Sequence, residues 1–517
     1  MEDEDPMLPA PRRHLAAAFC LSTVLACSAC SGSGVTASGA GGRTITIATP
    51  SALPDLDPYS CTGGQDQTIL GATYDTLLRL ASDGSFQPSL ATSWRYESPV
   101  RFTLRLREGV TFADGTPLDA EAVKRNLDRA SLSGGAATAN FAAAVRSIAT
   151  EGPTGIALTL HQPYPDLPAV LAGCTGMIVN PERLITPETL ASAMDGSGPY
   201  VYDAAGSDGT RYVFHRRKGY WDQDSYPFEN AVFQVIPDIE AGYDALAAGR
   251  VDVAAGPSTT LPGTGAAAIR GQDVEYLVNL LDREGTRVPA LKDVRVRRAL
   301  NQAVDRAAIN TTFFGGTGRP TAQVVPPGAP GYDAALDGAY PHDVAKAKQL
   351  LVQAGYPNGF TLQVLSTQNF KSDAILQPVI AQWAAIGVKV QKVVQPYDEY
   401  LHSLASKVFP AVVMPIQGTP PYSALVNNFG ERSQRNPYRS TDAVLAAATR
   451  QASDATSPKA VDGLHGMNAR LIDQAWYVGI GSSAVTWLYN PKKLTGVGVQ
   501  DGGYSPRLYN WQPVQDS

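Results

Sequence analysis

The stretch FTLRLREGVTFADGTPLDAEAVKRNLDRA, Phe102–Ala130, passes from strand grammar to helix grammar without a break. Phe102, Leu104 and Leu106 alternate with Thr103, Arg105 and Arg107, the period of two that suits a half-buried strand. Asp114-Gly115 supplies turn chemistry, because glycine accepts the positive φ that tight turns demand. Asp119 stands where a side chain can accept hydrogen bonds from the first free N–H groups of a helix, with Leu118 and Val123 at staple positions around it. Val123, Leu127 and Ala130 then share one helical face. Every polar residue in the block has a local structural task, so it reads as scaffolding rather than as a reactive centre.

The chain has 517 residues, more than one hydrophobic core usually organises, and two or three domains are expected. Hydrophobic residues at 44% and charged residues at 17% describe a globular protein. A formal charge of −6 gives no basis for nucleic acid or an acidic membrane surface as partner. At the N-terminus, Arg12, Arg13 and His14 precede an apolar run, Leu15–Ala26, too short to span a bilayer and of the length of a signal-peptide core. The acidic MEDEDP start is unusual there, and Met7 is an alternative initiator. In VLACSACSGSG, small residues precede a cysteine and a flexible tether follows, the pattern of a bacterial lipobox. Cys27, after Val-Leu-Ala, fits as the lipidated residue better than the alternative, Cys30. Residues 1–30 are therefore expected to be a signal segment with its lipobox, and 31–43 a tether. Export leaves Cys61 and Cys174 in the mature chain, where a disulfide is permitted; the bridge and two unpaired buried thiols both remain open. There is no CxxC pair, and the six histidines (14, 161, 215, 342, 402, 465) are scattered. No metal and no cofactor is expected.

Along the rest of the chain, TITIA after Arg43 reads as a strand leading into a Pro/Gly/Asp loop, SALPDLDPYSCTGG. Ile69–Leu80 reads as a helix with Tyr74, Leu77 and Leu78 on one side. A strand pair is expected in 145–161 and a hairpin from Tyr200–Tyr202 to Tyr212–His215. AVFQVI, IEAGYDALAAGR and VDVAAG form a β–α–β run and imply a parallel crossover. In the second half, VRVRRALNQAVDRAAI is helical, DVAKAKQLLVQAG is a helix capped by Asp343 and stopped by Gly355, and FTLQVL, VKVQKVV and FPAVVM are strands. IAQWAAIG and YDEYLHSLAS are helices between those strands. One helix is expected near Ser440–Leu471, with strands around 477–489. Two α/β lobes plus a β-rich insertion imply a cleft, where ligands usually bind.

Four stretches carry a family resemblance: FTLRLREGVTFADGTPLDAEAV (102–123), GSGPYVY…RKGYWDQ (196–223), DVRVRRALNQAVDRAAI (293–309) and HDVAKAKQLLVQAGYPNGFTL (342–362). In order and spacing the chain resembles the extracytoplasmic solute-binding proteins of ABC importers, in the oligopeptide-, dipeptide- and nickel-binding family (family 5). The resemblance implies an α/β fold of the type II periplasmic-binding-protein kind: two α/β lobes with an inserted smaller lobe and a ligand cleft between lobes. It implies lobe I from 44–85 and 196–284, lobe II from 86–195, lobe III from 285–490, and a return to lobe I over 491–517.

The same resemblance places ligand contacts in the loop after the first strand, Ser51 to Cys61, with Ser51, Leu53, Tyr59 and Ser60 as candidates. It also points to the stretch after VFPAVVM. Peptide-binding members carry there an aspartate that pairs with the ligand's α-ammonium, close to a tryptophan. This chain has PIQGTPPYSALVNNFG (415–430), with neither. Burying an ammonium without a counter-charge costs several kcal/mol, so an ordinary free-amine peptide is disfavoured. Gln417, Gly418, Thr419 and Tyr422 suit hydroxyls, amides or a capped peptide; the alternative is that 417–422 is only a proline-stiffened loop. Gln368, Asn369 and Lys371 fall where dipeptide binders hold a carboxylate-gripping arginine, and Lys371 is the candidate partner for a ligand carboxylate. Tyr59, Tyr200, Tyr397, Tyr400 and Trp487 are candidate cleft walls, whereas His402 sits on an apparent surface helix and does not suggest metal recognition.

The expected function is capture of a small or peptide-like solute outside the cell and delivery to ABC permease subunits, by a monomer anchored through lipid to the outer face of the cell membrane (periplasmic in a Gram-negative cell). Two lobes close on the ligand about a hinge. A ligand-sensing receptor without transport is the alternative. A hydrolase is a further one, but no GxSxG, HExxH or SxxK constellation appears, so no catalytic residue is expected.

Overall fold

The computed structural model describes residues 43–514 apart from 62–63, 82–83, 134, 136–137, 185–189, 191–192, 257–264 and 499–505. The expected signal segment and tether, including Cys27 and Cys30, lie outside the described residues. β1 (Thr44–Thr49) opens the fold and is followed by a short hairpin, β2 (Leu78–Leu80) and β3 (Phe86–Pro88). Next come β4 (Ala91–Ser98), β5 (Arg101–Leu106), β6 (Val145–Glu151) and β7 (Gly155–Leu160), which make a separate four-stranded antiparallel sheet in the order β4-β5-β7-β6. The chain then adds β8 (Tyr200–Asp203), β9 (Arg211–Arg216), β10 (Asn230–Val235), β11 (Val253–Gly256) and the long β12 (Ala267–Leu280). The second half contributes β13 (Thr361–Ser366), β14 (Lys389–Val394), β15 (Ala411–Gln417) and β16 (Tyr477–Tyr489). With β1 these form one ten-stranded sheet, β14-β13-β15-β12-β16-β11-β1-β10-β9-β8.

β10, the helix Ile239–Ala247 and β11 make the expected crossover, with β1 pairing parallel to both strands. β13, the helix Ser372–Ala384 and β14 repeat it in the second half. Separate apolar cores lie under each half: one joins the first half to the four-stranded sheet, and two others fill the second half on opposite faces of its strands.

The opening block folds as its pattern dictates. Phe102, Leu104 and Leu106 are buried on β5, and the Asp119 carboxylate accepts from the Ala122 N–H at 2.9 Å to start the helix Ala120–Leu132. Val123, Leu127 and Ala130 pack inward from that helix. The segment at 196–223 locks onto the same block. The Arg217 guanidinium donates to the Thr111 and Phe112 carbonyls, both at 2.7 Å, and to that of Ser197 at 3.0 Å. The Tyr220 hydroxyl and Trp221 indole donate to the buried Asp75 carboxylate at 2.7 and 3.1 Å. Gly196 and Gly198 are required because a Cβ on either would sit 2.5 Å from the Thr73 carbonyl oxygen.

Several expectations need correction. Ile69–Leu80 is not one helix: a helix ends at Leu70, a turn follows, and Leu78 enters β2. Tyr74, Leu77 and Leu78 are apolar because the turn itself is buried, and the GSG segment packs on its backbone. VRVRRALNQAVDRAAI divides into Val294–Gln302 and Arg306–Phe313, because Asp305 caps a new helix through the Ala308 N–H. Ser440–Leu471 likewise divides into Ala443–Ser453 and Ala460–Asp473. The strands expected around 477–489 are a single strand, and β12 falls on a segment left unassigned. In the remaining chain, Asp343 caps and Gly355, at φ +88°, ends the helix that includes Val344–Gln353.

Replacing Asp119 with alanine should lower stability by about 1 kcal/mol, the usual cost of a lost helix cap. The shift would appear as a lower urea midpoint with an unchanged slope.

Candidate functional site

An open cleft of about 2560 Å³ lies between the two halves of the ten-stranded sheet. That is larger than the roughly 300–1,000 Å³ of an ordinary small-molecule pocket. A second, much smaller cavity of about 20 Å³ beside Asp75 and Arg79 has room for little more than one water. Strand ends and helix starts set the cleft walls. Ser51, just past β1, and Glu240 and Asp244 of the helix Ile239–Ala247 line the first-half wall. β15 delivers Gln417 to the opposite wall, in register with Val274 of β12. Trp487 of β16, buried at the back, lines the cleft floor where the halves meet.

Past Gln417 the chain does not continue as a loop. Thr419-Pro420 leads into Pro421 at the first position of a helix, Pro421–Phe429, where a missing N–H costs nothing. Thr419 and Tyr422 line the cleft from this turn, and Tyr422 has its phenol pKa raised by burial and by the nearby Asp166 charge. The segment is therefore not a loop throughout, because the prolines start a helix at Pro421. Gly418 is structural, since a Cβ there would lie 2.2 Å from the Val324 carbonyl oxygen.

A second group of side chains lies further along the same wall. Phe370 and Lys371 occupy consecutive left-handed backbone positions, φ +56° and +57°, which non-glycine residues adopt at a cost of order 1–3 kcal/mol each. This turn presents Phe370 and Lys371 to the cleft. The Phe370 ring meets Tyr397 edge-on at 5.5 Å, and Tyr397 stacks on the buried Tyr400 at 6.1 Å. Arg435 sits beside both phenols and donates to the Asn428 side-chain oxygen at 2.7 Å. Burial lowers its pKa, and among the described residues neither Arg435 nor Lys371 has a carboxylate at ion-pair distance.

The structure brings together Ser51, Lys371, Gln417, Thr419 and Tyr422, with Tyr397 and Trp487, around one cleft. It does not bring the others. Tyr59 is core: its hydroxyl donates to the Asn126 side-chain oxygen at 2.6 Å and to the Met177 carbonyl, and burial raises its pKa well above the usual phenol range. Leu53 is buried, with its N–H donating to the Tyr212 hydroxyl, and Ser60 closes a 3-10 turn; neither lines the cleft. Gln368 is exposed outside the cleft lining. Tyr200 and Tyr400 are also core. Loop position alone suggested these residues, but in a loop that dips into the core it does not say which way a side chain faces. Arg435 escaped notice within ERSQRN, a polar run with no local pattern to single it out. Cys61 and Cys174 are joined, with Cα atoms 6.3 Å apart, and Cys174 lines the cleft.

Residues 85–436 match the family described as "Bacterial extracellular solute-binding proteins, family 5 Middle". The chain belongs to this family. It is thus an extracytoplasmic solute-binding component that serves an ABC importer. Among curated proteins, the glutathione-binding protein GsiB of Escherichia coli (strain K12) is 28% identical over 364 residues, covering 68% of this chain and 69% of that protein. Among solved structures, HbpA2 from Haemophilus parasuis superposes with a TM-score of 0.79 at 21% identity, over 92% of this chain and 100% of that one. The unliganded open form of the murein tripeptide-binding protein MppA gives a TM-score of 0.78 at 19% identity, over 92% and 98%. The ABC transporter-associated periplasmic binding protein DppA from Helicobacter pylori, solved with the peptide STSA, gives 0.71 at 21%, over 91% and 98%. These likenesses establish the type II periplasmic-binding-protein fold.

Tyr59→Phe should cost about 1 kcal/mol of stability through its lost buried hydrogen bond and leave ligand affinity unchanged by calorimetry. Thiol titration of the unfolded, unreduced mature protein should find neither Cys61 nor Cys174 reactive, and both reactive after reduction.

Proposed function

We propose that this family member captures a peptide-like solute with its amide groups on Gln417, Thr419 and Tyr422 and an anionic end toward Arg435 and Lys371. The observation that carries the reading is that Arg435, partly desolvated in the cleft wall, and Lys371 have no carboxylate at ion-pair distance among the described residues; exposed Arg432 and Arg450 also line the cleft from the second half. A guanidinium held in a partly desolvated wall gains most from an anion able to accept two hydrogen bonds. The neutral groups of the ligand loop complement it, since they leave no buried counter-charge for an α-ammonium on that wall. Of the acidic groups that line the cleft, exposed Glu240 and Asp244 and buried Asp66 belong to the first half; in the second, Glu431 is exposed and Asp442 is paired with Arg470. The relatives named as glutathione- and peptide-binding accord with this class of solute.

The same reading includes the three-lobe division, with the four-stranded sheet as the core of the inserted lobe, and a lipid anchor on Cys27, or on Cys30. It takes the protein to be a monomer that releases its cargo chemically intact, without a catalytic group. Binding free energy drives closure of the two walls, and the closed form is what the permease recognises.

The direct test is native mass spectrometry of the protein purified from its own culture, to identify a retained solute. That solute should carry a carboxylate or equivalent anion. Measured by calorimetry with it, Gln417→Ala should bind at least about tenfold more weakly, a loss of roughly 1.4 kcal/mol. Arg435→Gln should lose about 1.5–3 kcal/mol, the range for a hydrogen bond to a charged group. A retained solute without negative charge, or unchanged affinity in Arg435→Gln, would remove the anionic subsite.

A further inference from the structure

The helix Pro421–Phe429 begins beside the ligand loop without a cap of its own. Its cap position is Pro420, whose side chain makes no hydrogen bond to the first turn. The missing acceptor comes from the other half of the molecule. The Asp166 carboxyl accepts from the Ser423 N–H at 2.6 Å, a contact between residues 257 positions apart. The Ser423 hydroxyl also bonds to Asp166, and Tyr164 bonds to Ser423 as well.

Asp166 is itself placed to cap a helix. It precedes Leu167–Ala172, yet its carboxyl makes no bond to that helix's first turn. The side chain has turned away from its own helix toward the first turn of a helix in the opposite half. Tyr164 belongs to the core beneath the four-stranded sheet, and Tyr422 to a core of the second half. Tyr164, Tyr422 and Ser423 all line the cleft. The contact therefore joins the two walls at one end of the groove.

We propose that Asp166 is a positioning residue that ties the first half to the helix carrying Thr419 and Tyr422, and so sets the closure of the cleft in a proton-dependent way. This goes beyond the proposed ligand class and rests on the cleft being the ligand site only for its consequence in capture. The groups facing Asp166 are the phenols of Tyr96, Tyr164 and Tyr422, together with Ser423; among the described residues no Lys, Arg or His side chain opposes it. Part of the residue still reaches solvent, but its carboxyl is enclosed. Burial raises the Asp166 pKa to about 6, against the lowering effect of the Ser423 hydrogen bonds.

The sign follows from linkage. With the walls apart, the carboxyl returns to water and its pKa falls toward the ordinary value of 3.8. The tied form thus holds the proton more tightly, and tying takes one up as pH falls through about 6. The tied-to-open ratio should rise about tenfold between pH 7 and pH 5. The direction is opposite to that of an aspartate in a salt bridge, whose contact weakens on acidification.

Small-angle X-ray scattering of the ligand-free mature protein tests this without knowledge of the solute. The wild-type radius of gyration should be smaller at pH 5 than at pH 7.5. Asp166→Asn keeps an acceptor for the Ser423 N–H and carries no charge, so it should show the smaller radius at both values. Asp166→Ala and Ser423→Pro, which remove the acceptor and the donor in turn, should show the larger radius at both. If Asp166→Asn keeps the wild-type pH response, or folded Asp166→Ala matches the wild type throughout, the proposal is overturned. Should either truncating variant fail to fold by circular dichroism, the pH response of Asp166→Asn still decides it. Loss of solute affinity in Arg435→Gln reads the ligand subsite alone, so the two ideas fail separately.

Discussion

The antiparallel pairing of β12 with β16 makes the two halves one molecule. β12 runs beside β16 from Ala267 to Asn279 and beside β15 from Val274 onward. At its far end β16 pairs with β11, which adjoins β1. The loop at the end of β15 and the loop after β1 are therefore linked through one hydrogen-bonded ladder. A one-residue slip of β15 against β12 would turn that strand's cleft-facing side chains into the core. Two register shifts interrupt the β12–β16 pair, between Arg270 and Asp273 and between Tyr276 and Leu277. Such irregularities bend and twist a strand locally. They fall beside Val274 and Tyr276, at the cleft itself, so the same strands that join the walls also set the angle between them.

Among the described residues, the stretches that carry the family pattern do not line the cleft. They hold the halves rigid. Arg217 binds carbonyls of the 102–130 block, and Asp343 and Asp119 start helices. In the 293–309 segment, buried Arg297 donates to the carbonyls of Leu291, Lys292 and Gln474, and Arg306 to the Asn301 side chain and the Tyr340 carbonyl. Arg283 adds the Asn436 side chain and lies over the Trp476 ring at 4.0 Å. Burial lowers the pKa of all three, with Arg283 falling to about 9 and the others to about 10. A buried guanidinium is tolerated when most of its donors are matched, and backbone carbonyls at loop ends need such partners in turn.

How much was legible follows from where the information lies. The alternation in Phe102–Leu106 and the capping at Asp119 and Asp343 are local, and the chain folds there as the pattern implies. Buried irregular segments mislead, because a core-facing turn has the same apolar content as a helix; Tyr74 to Leu78 is such a case. β12 carries Arg270, Gly271, Asp273 and Glu275, and its placement depends on two neighbours from distant segments rather than on its own residues. The candidate site divides the same way. Gln417 and Lys371 follow from position in the chain, but Arg435 and Asp166 acquire meaning only from residues folded against them.

The charges of the cleft explain why the frame would close on a solute at all. Asp66, Glu240 and Asp244 line it from the first half; Lys371, Arg432, Arg435 and Arg450 line it from the second, with Glu431 and Asp442 among them. Across an open, water-filled groove, charges more than about 8 Å apart are largely screened at physiological salt. Bringing the walls together would desolvate Arg435 further, which costs free energy unless the guanidinium gains a partner. An anion accepted by Arg435 reverses that balance, since the same desolvation then strengthens the bond it makes. The solute's differential affinity for the closed form, rather than its contacts as such, is what shifts the equilibrium. In the proposed reading, the neutral loop orients cargo by hydrogen bonds, and the guanidinium adds to the solute's preference for the closed form.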